Sequence, residues 1–180
     1  MYKHCATEEG AQRQRQLEQC LQDLMLTEQY PTITISDICN QAGISRKSFY
    51  RYFSNKEGCL CTLLDHAVFD GASYYLPDHH VDPSIRIIYE RFFNYWMDKR
   101  ALLDALQRNN LNMLLVERMI LYVAQEEKEF GSFLHRQDLT THERSMFYIG
   151  GIMTLVLDWH RTGYRKSVLQ MSRLLEELIG

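Results

Sequence analysis

Cations and aromatic rings are concentrated in one short stretch of the chain, residues 43–53 (GISRKSFYRYF). These eleven residues carry three cations, four aromatic rings and no acid, although the 180-residue chain has a formal net charge of −3. Arginine and lysine in the first turn of a helix can donate hydrogen bonds to guanine O6 and N7 in the major groove. Serine and tyrosine hydroxyl groups can bind phosphate. The stretch therefore has the chemistry of a contact with DNA.

Helical spacing divides these side chains between two faces. Phe49 and Phe53 are four residues apart and can anchor the helix to its domain, while Lys47 and Arg51 lie nearly opposite. Residues 41–56 contain four cations and no acid, a local charge of +4. The alternative interpretation is a short solvated basic helix with two core phenylalanines. The residues that we predict to contact DNA are Thr34, Ser45, Arg46, Lys47, Ser48, Tyr50, Arg51, Tyr52 and Lys56.

Capping signals predict the short helices that would position this set. Thr34 with Asp37 has the spacing of a capping box, and Gly43 can end that helix in the left-handed conformation. Ser45 can cap the next helix, and the box formed by residues 54–57 begins a longer one. Two short helices joined by a tight turn are typical of a helix-turn-helix, whose second helix enters the major groove. Thr34 and Lys56 stand at helix starts, where the helix dipole favours an anion.

The remaining sequence has helical periodicity to its end, so we predict an all-α protein of about nine helices. The domain limits that we expect are 1–55 for a three-helix DNA-binding domain and 56–180 for a regulatory and dimerisation domain, with 56–76 as the connecting helix. The other predicted helices cover residues 11–29, 84–98, 99–108, 111–128, 139–162 and 165–179.

Two further groups of residues are candidates for binding. Aromatic density on the helix after residue 84 suits an apolar pocket for a small apolar or aromatic effector, with ordinary core packing as the alternative. The residues of this group are Tyr89, Phe92, Phe93, Trp96, Met113 and Tyr122. An apolar terminal helix and small residues on the helix before it suit a homodimer interface, again with core packing as the alternative. The residues of this group are Phe147, Gly150, Gly151, Thr154, Asp158, Met171, Leu174, Leu175 and Leu178.

Several functional classes receive no support from the sequence. P-loop, GxSxG and HExxH motifs are missing, so we expect no enzyme, no catalytic residues, no metal and no cofactor. Five cysteines without a CxxC pair indicate reduced thiols, although a redox switch stays open as an alternative. The first twenty residues lack the apolar run of a secretory signal, and no apolar stretch approaches the ~20 residues of a bilayer span. We therefore expect a cytoplasmic protein without a membrane partner.

Residues 34–57 (TISDICNQAGISRKSFYRYFSNKE) closely resemble the DNA-binding domain of the tetracycline-repressor (TetR) family, whose pattern is T-x-x-x-I-A-x-x-A-G-V-S followed by T-F-Y-x-Y-F-x-x-K-E. The resemblance implies that seven of the nine residues predicted above contact DNA, and it does not include Lys47 and Arg51. The seven are Thr34, Ser45, Arg46, Ser48, Tyr50, Tyr52 and Lys56. Lys47 replaces a frequent glycine, so we expect an unusual base preference. Residues 147–151 and 158–163 are also similar to the late helix of a subgroup that includes dihydroxyacetone-linked regulators.

What the resemblance implies for function is a homodimer joined by its last two helices, with a small-molecule pocket in the C-terminal domain. We expect a repressor that binds a palindromic double-stranded DNA operator and is released by an effector. The alternative is an effector-independent regulator or coactivator that works through a protein partner.

Overall fold

The computed structural model of the chain describes residues 7–75, 84–125 and 142–179. These ranges contain nine α-helices and no strand, in agreement with the predicted all-α class. The helices are α1 (Glu8–Thr27), α2 (Ile35–Ala42), α3 (Arg46–Phe49), α4 (Lys56–Tyr75), α5 (Ile85–Asp98), α6 (Arg100–Arg108), α7 (Asn112–Gln125), α8 (His142–Arg161) and α9 (Val168–Ile179). Cys5 and the predicted helix ends at 126–128 and 139–141 lie outside the described residues.

The chain forms two compact units. The first comprises residues up to His66 together with Asp104–Leu111, and the second comprises the rest. Helix α4, predicted to connect the domains, contributes residues to both units, and so does α6. The first unit therefore includes eight residues, 104–111, that are far from the predicted DNA-binding domain in sequence.

The core of the first unit is assembled around α1. Leu17, Leu21 and Met25 recur at helical spacing on this helix and are fully buried. The helix begins three residues earlier than the sequence predicted, because the Thr7 hydroxyl accepts the backbone N–H of Gly10 at 3.2 Å. Such a cap satisfies one of the donors that every helix start leaves without a partner.

The second unit is built from two helix pairings, α5 with α9 and α7 with α8. Helix α5 buries one aromatic face, on which Phe93 meets the Trp159 ring edge-to-face at 5.5 Å. The Tyr95 hydroxyl donates to the backbone carbonyl of Ala67 in α4. In the described ranges no helix combines the length and the apolar character needed to cross a membrane.

Candidate nucleic-acid interface

The N-terminus of α2 has the capping box that the sequence predicted. The Thr34 hydroxyl accepts the Asp37 backbone N–H at 3.2 Å, and Asp37 Oδ2 accepts the Thr34 N–H at 2.8 Å. The Thr34 hydroxyl also donates to the same carboxylate at 2.6 Å. Hydrogen bonds from the Thr34 side chain and backbone lower the pKa of Asp37 below its usual value. Thr34 is thus exposed and fixed in orientation at a helix start.

A glycine turn joins α2 to α3. Gly43 adopts φ +66°, where a side chain would be strained, and the following N–H of Ile44 donates to the Cys39 carbonyl at 3.0 Å. Ser45 then caps α3 by accepting the Ser48 N–H at 3.2 Å. Helix α3 has only four residues. Backbone hydrogen bonds between residues three or four positions apart then continue the helical conformation to Phe53.

Residues 43–53, called the α2–α3 turn below, have the two faces predicted from the helical wheel. Phe49 and Phe53 are fully buried with their ring centroids 5.4 Å apart. Arg46, Lys47 and Arg51 are exposed on the outer side. The inner face therefore fixes the turn to its unit, and the outer face presents positive charge without a nearby acid in the sequence.

The tyrosines occupy intermediate positions on this turn. Tyr50 is exposed and places its ring edge-on to Phe49 at 5.8 Å, while Tyr52 is half-buried. The Arg46 guanidinium lies 3.5 Å from the Tyr50 hydroxyl, which is long for a hydrogen bond. Ser45 is exposed, Ser48 is half-buried, and their hydroxyl oxygens are 3.1 Å apart. All these polar groups lie at the surface of the same turn.

Lys56 differs from the other cations in its surroundings. Its ammonium donates to the carbonyls of Tyr30 and Ile33, each at 2.6 Å, and lies 4.2 Å from the centre of the Tyr30 ring. The start of α4 is capped by Asn55, whose Oδ1 accepts the Gly58 N–H at 2.7 Å. The sequence predicted a capping box that begins at residue 54, and the structure shows a cap from the neighbouring Asn55.

Sequence reasoning missed a group of residues that contact the loop before α2. Asn109, at the end of α6, exchanges hydrogen bonds with the α1 end and this loop, and Arg108 donates to the Thr27 carbonyl at 3.0 Å. The available signal was the Asn109-Asn110 pair after a helix, since asparagine tolerates positive φ and Asn110 has φ +56°. That signal marks a helix end but does not identify its partner.

The six predicted ligand residues differ in their exposure to solvent. Tyr89, Phe92, Phe93 and Trp96 are buried on α5, and burial raises the pKa of Tyr89 to about 12. Tyr122 is half-buried on α7 and meets the Phe69 ring edge-to-face at 6.4 Å. Met113 is 68% exposed. Four of the six residues are therefore buried on α5, one is half-buried and one is exposed.

The predicted dimer residues divide between surface and core. Phe147 is 76% exposed, and Gly151, Thr154 and Asp158 are exposed on the same helix, with Gly150 half-buried. On α9, Leu178 is 61% exposed and Leu174 is half-buried.

Met171 and Leu175 require a correction. They are only 3% and 1% exposed, because this side of α9 packs within the second unit, chiefly on α5. Buried and more exposed apolar residues follow each other closely on this short helix. The sequence pattern therefore did not distinguish the core residues from those available to a partner.

The described cysteines are buried or half-buried and form no disulfide. Burial raises the pKa of the Cys20 and Cys39 thiols, which keeps them protonated at neutral pH. Among the described residues no group of three or more histidine, cysteine or acidic side chains is arranged to hold a metal ion.

The site geometry agrees with comparisons to known proteins. Residues 24–61 match the family model of bacterial regulatory proteins of the tetR family, from the end of α1 into α4. The chain is also 34% identical over 100 residues to the HTH-type transcriptional regulator EthR of Mycolicibacterium smegmatis. The matched segment has the sequence of a TetR-family DNA-binding domain. This match covers 51% of the chain but only 45% of EthR, so the chain spans less than half the length of that relative.

Two solved structures have a similar fold over nearly the whole chain. A TetR-family transcriptional regulator from Syntrophomonas wolfei matches with a TM-score of 0.68 and 14% identity, covering 93% of each chain. The dihydroxyacetone kinase operon activator DhaS matches with a TM-score of 0.56 and 19% identity, also covering 93% of each chain. At these identities the likeness concerns the fold.

Proposed function

We propose that this protein is a homodimeric DNA-binding transcriptional regulator of the TetR family. The observation that carries the proposal is the outer face of the α2–α3 turn, where Arg46, Lys47 and Arg51 are exposed while Phe49 and Phe53 anchor the inner face. Residues 41–56 contain no acid that would repel phosphate. A helix-turn-helix with this polarity places its second helix in the major groove.

The exposed residues divide into those that distinguish bases and those that bind the backbone. Arg46 and Lys47 lie in the first turn of α3, the part that approaches base edges, so we assign them to base contacts. The residues assigned to phosphate are Thr34, Ser45, Ser48, Tyr50, Arg51, Tyr52 and Lys56. Lys56 acts there through its charge at longer range, because its ammonium is bound to two carbonyls.

Helix α8 supports a homodimer. Its outer stripe of residues 147, 150, 151, 154 and 158 combines an exposed phenylalanine with two glycines. A Cβ atom built on Gly150 or Gly151 meets no atom of the described residues within 4 Å, so packing inside the chain does not require glycine there. A second copy of the chain gives the glycines and the exposed ring a role. Two α3 elements about 34–36 Å apart would then match a palindromic operator.

The second unit supports regulation by a small apolar or aromatic effector that releases a repressor from its operator. Trp96 is fully buried in the aromatic face of α5, and its indole N–H has no hydrogen-bond acceptor among the described residues. An unmade hydrogen bond of this kind costs about 1–3 kcal/mol, which a bound acceptor would recover. Effector binding must then favour a DNA-incompetent state of the protein. This role places the protein in the cytoplasm.

A second candidate is an effector-independent regulator or a coactivator that works through a protein partner. The near-complete burial of the α5 aromatic side chains favours it, since they already pack against one another and against Trp159. DhaS, which has a similar fold, is an operon activator. Release of a specific DNA duplex by a small molecule distinguishes an effector-controlled repressor from this candidate.

The experiment is selection of duplexes from a randomised 40-base-pair library by the purified wild-type chain. Enrichment of an inverted repeat with half-site centres about one helical turn or a multiple apart supports a dimeric sequence-specific regulator. Failure to enrich any sequence in three independent selections contradicts the proposal. The enriched duplex, called the selected duplex below, then serves as the probe for every variant.

A further inference from the structure

The loop between α1 and α2, residues 28–33, is held by side chains from two distant parts of the first unit. On one side it meets Asn109 at the end of α6, and on the other it meets Lys56 at the start of α4. The loop leads directly into Thr34, the cap of α2. Whatever fixes the loop therefore fixes the position of the end of α2 that faces DNA in the proposed function.

Asn109 uses both ends of its amide. Its Oδ1 accepts the backbone N–H of Tyr30 at 2.5 Å, and its Nδ2 donates to the carbonyls of Met25 at 2.9 Å and Ala105 at 2.8 Å. One half-buried side chain thus joins the last turn of α6 to the last turn of α1 and to the first part of the loop. The sequence separation of 79 residues between Asn109 and Tyr30 makes this a tertiary contact rather than a local helix cap.

Lys56 completes the hold from the opposite end of the loop. Its ammonium, which is only a donor, donates hydrogen bonds to the backbone carbonyls of Tyr30 and Ile33. Tyr30 is the residue common to both contacts, because its N–H binds Asn109 while its carbonyl binds Lys56. Both backbone polar groups of one loop residue are therefore satisfied by side chains from α6 and α4.

We propose that Asn109 is a positioning residue for DNA binding, which acts through Tyr30 to hold the Thr34 end of α2 at the phosphate backbone. This inference rests on the proposed function. A hydrogen bond or dipole contact to phosphate requires placement within a few tenths of an ångström, so a loop free to shift would lose it. Helix α6 also contributes residues to the second unit, so the positioning contact lies at the end of an element that both units share.

The test compares Asn109→Ala with Gln107→Ala, which removes an exposed amide from the same helical turn. Affinity for the selected duplex is measured by fluorescence anisotropy with full-length protein. We expect Asn109→Ala to bind about tenfold more weakly, the loss expected for one hydrogen bond to a charged group, and Gln107→Ala to bind within about twofold of wild type. Equal affinities of the two variants contradict the positioning role.

A double-mutant cycle separates positioning from a general loss of stability. If Asn109 acts through the end of α2, adding Asn109→Ala to Thr34→Ala weakens binding by less than about twofold more, because the contact is already lost. Added to Tyr50→Phe, directly after α3, the same change still weakens binding by about tenfold. Full additivity with Thr34→Ala contradicts action through α2.

Amide hydrogen exchange of the wild-type chain tests the proposal even if Asn109→Ala does not fold. The selected duplex should slow exchange of the Tyr30 N–H, which donates to Asn109, along with that of the Asp37 N–H, which donates to Thr34. Slowing at Asp37 without slowing at Tyr30 overturns the inference. Failure of the wild-type chain to bind any duplex would instead contradict the proposed function, so the two failures are distinguishable.

Discussion

The α2–α3 turn and helix α8 are two amphipathic surfaces of the same chain with opposite chemistry on their exposed sides. Both bury apolar side chains on one face, Phe49 and Phe53 in the first case and Ile152 and Val156 in the second. The outer face of the turn carries Arg46, Lys47 and Arg51, whereas the outer face of α8 carries an exposed phenylalanine and small residues.

The difference shows that a helix's buried face determines where it packs and its exposed face determines what it binds. Cations without neighbouring acids suit a polyanion and give binding that weakens with salt. An exposed ring beside glycines suits close packing of an apolar surface, which is weakly sensitive to salt. Phe49 and Phe147 illustrate the contrast, because the same side chain is fully buried in one region and 76% exposed in the other.

The largest expected effect is the loss of stability in Phe49→Ala. Removing a fully buried phenylalanine costs about 3–5 kcal/mol of unfolding free energy, because the cavity is only partly filled by relaxation. Urea unfolding followed by circular dichroism measures it. The matched variant Phe147→Ala, studied at a concentration where the protein is monomeric, should change this free energy by less than about 0.5 kcal/mol. Equal losses of unfolding free energy in the two variants would contradict the distinction between the buried face of the α2–α3 turn and the exposed face of α8.

The next effect concerns association of two chains. Phe147→Glu should raise the dimer dissociation constant at least about 100-fold, because a two-fold interface brings the new carboxylates together in an apolar surrounding. Sedimentation velocity across a dilution series measures this constant. Met113→Glu introduces the same charge at an exposed position on α7 and should leave it unchanged. A dimer that tolerates Phe147→Glu would place its interface elsewhere.

Within the α2–α3 turn, base discrimination and backbone binding should respond to different substitutions. Lys47→Gly should reduce the difference in affinity between the selected duplex and a scrambled duplex by about 1–3 kcal/mol. Tyr50→Phe should weaken binding to both duplexes alike, by about 1 kcal/mol, since a phosphate contact carries no sequence information. Parallel titrations of the two duplexes measure both quantities. Similar effects of the two substitutions would mean that the roles are wrongly divided.

The smallest effects come from two glycines with opposite requirements. Gly43→Ala should lower the unfolding free energy by about 1–2 kcal/mol, because φ +66° is strained for any side chain. Gly150→Ala should raise monomer stability by up to about 1 kcal/mol, because the position is helical and a Cβ meets no described atom. Thermal unfolding at low protein concentration compares them. If Gly150→Ala also weakens the dimer, close packing of a second copy at this glycine is supported.

Local features of the fold were predictable from the sequence, and long-range ones were not. The Thr34–Asp37 capping box and the positive φ of Gly43 involve residues that are at most nine positions apart in the sequence, and the structure has both features. Helix α4 starts at residue 56 as predicted, and Asn55, which is a good cap like the predicted Ser54, accepts the Gly58 N–H. The bonds of Asn109 to Met25 and Tyr30 depend on how α6 packs in the first unit, which no local pattern encodes.

The second unit shows the same limit in its apolar residues. Hydrophobic periodicity identified α9 but gave Met171, Leu174, Leu175 and Leu178 one common role. The structure buries Met171 and Leu175 within the unit and leaves Leu178 mostly exposed. Periodicity finds the apolar side of a helix, whereas the width of the surface covered by neighbouring helices decides which of its residues remain available to a partner.

The central claim is that the α2–α3 turn binds DNA, and its most direct test uses two matched pairs of adjacent cations. Arg46→Ala/Lys47→Ala removes an arginine and a lysine from the turn, and Arg165→Ala/Lys166→Ala removes the same two residue types from an exposed segment between α8 and α9. Affinity for the selected duplex is measured at several salt concentrations. We predict that the first variant binds at least about 100-fold more weakly, the loss expected for two base contacts, and that the second stays within about threefold of wild type. Equal losses in the two variants, or a larger loss in the second, would contradict the account.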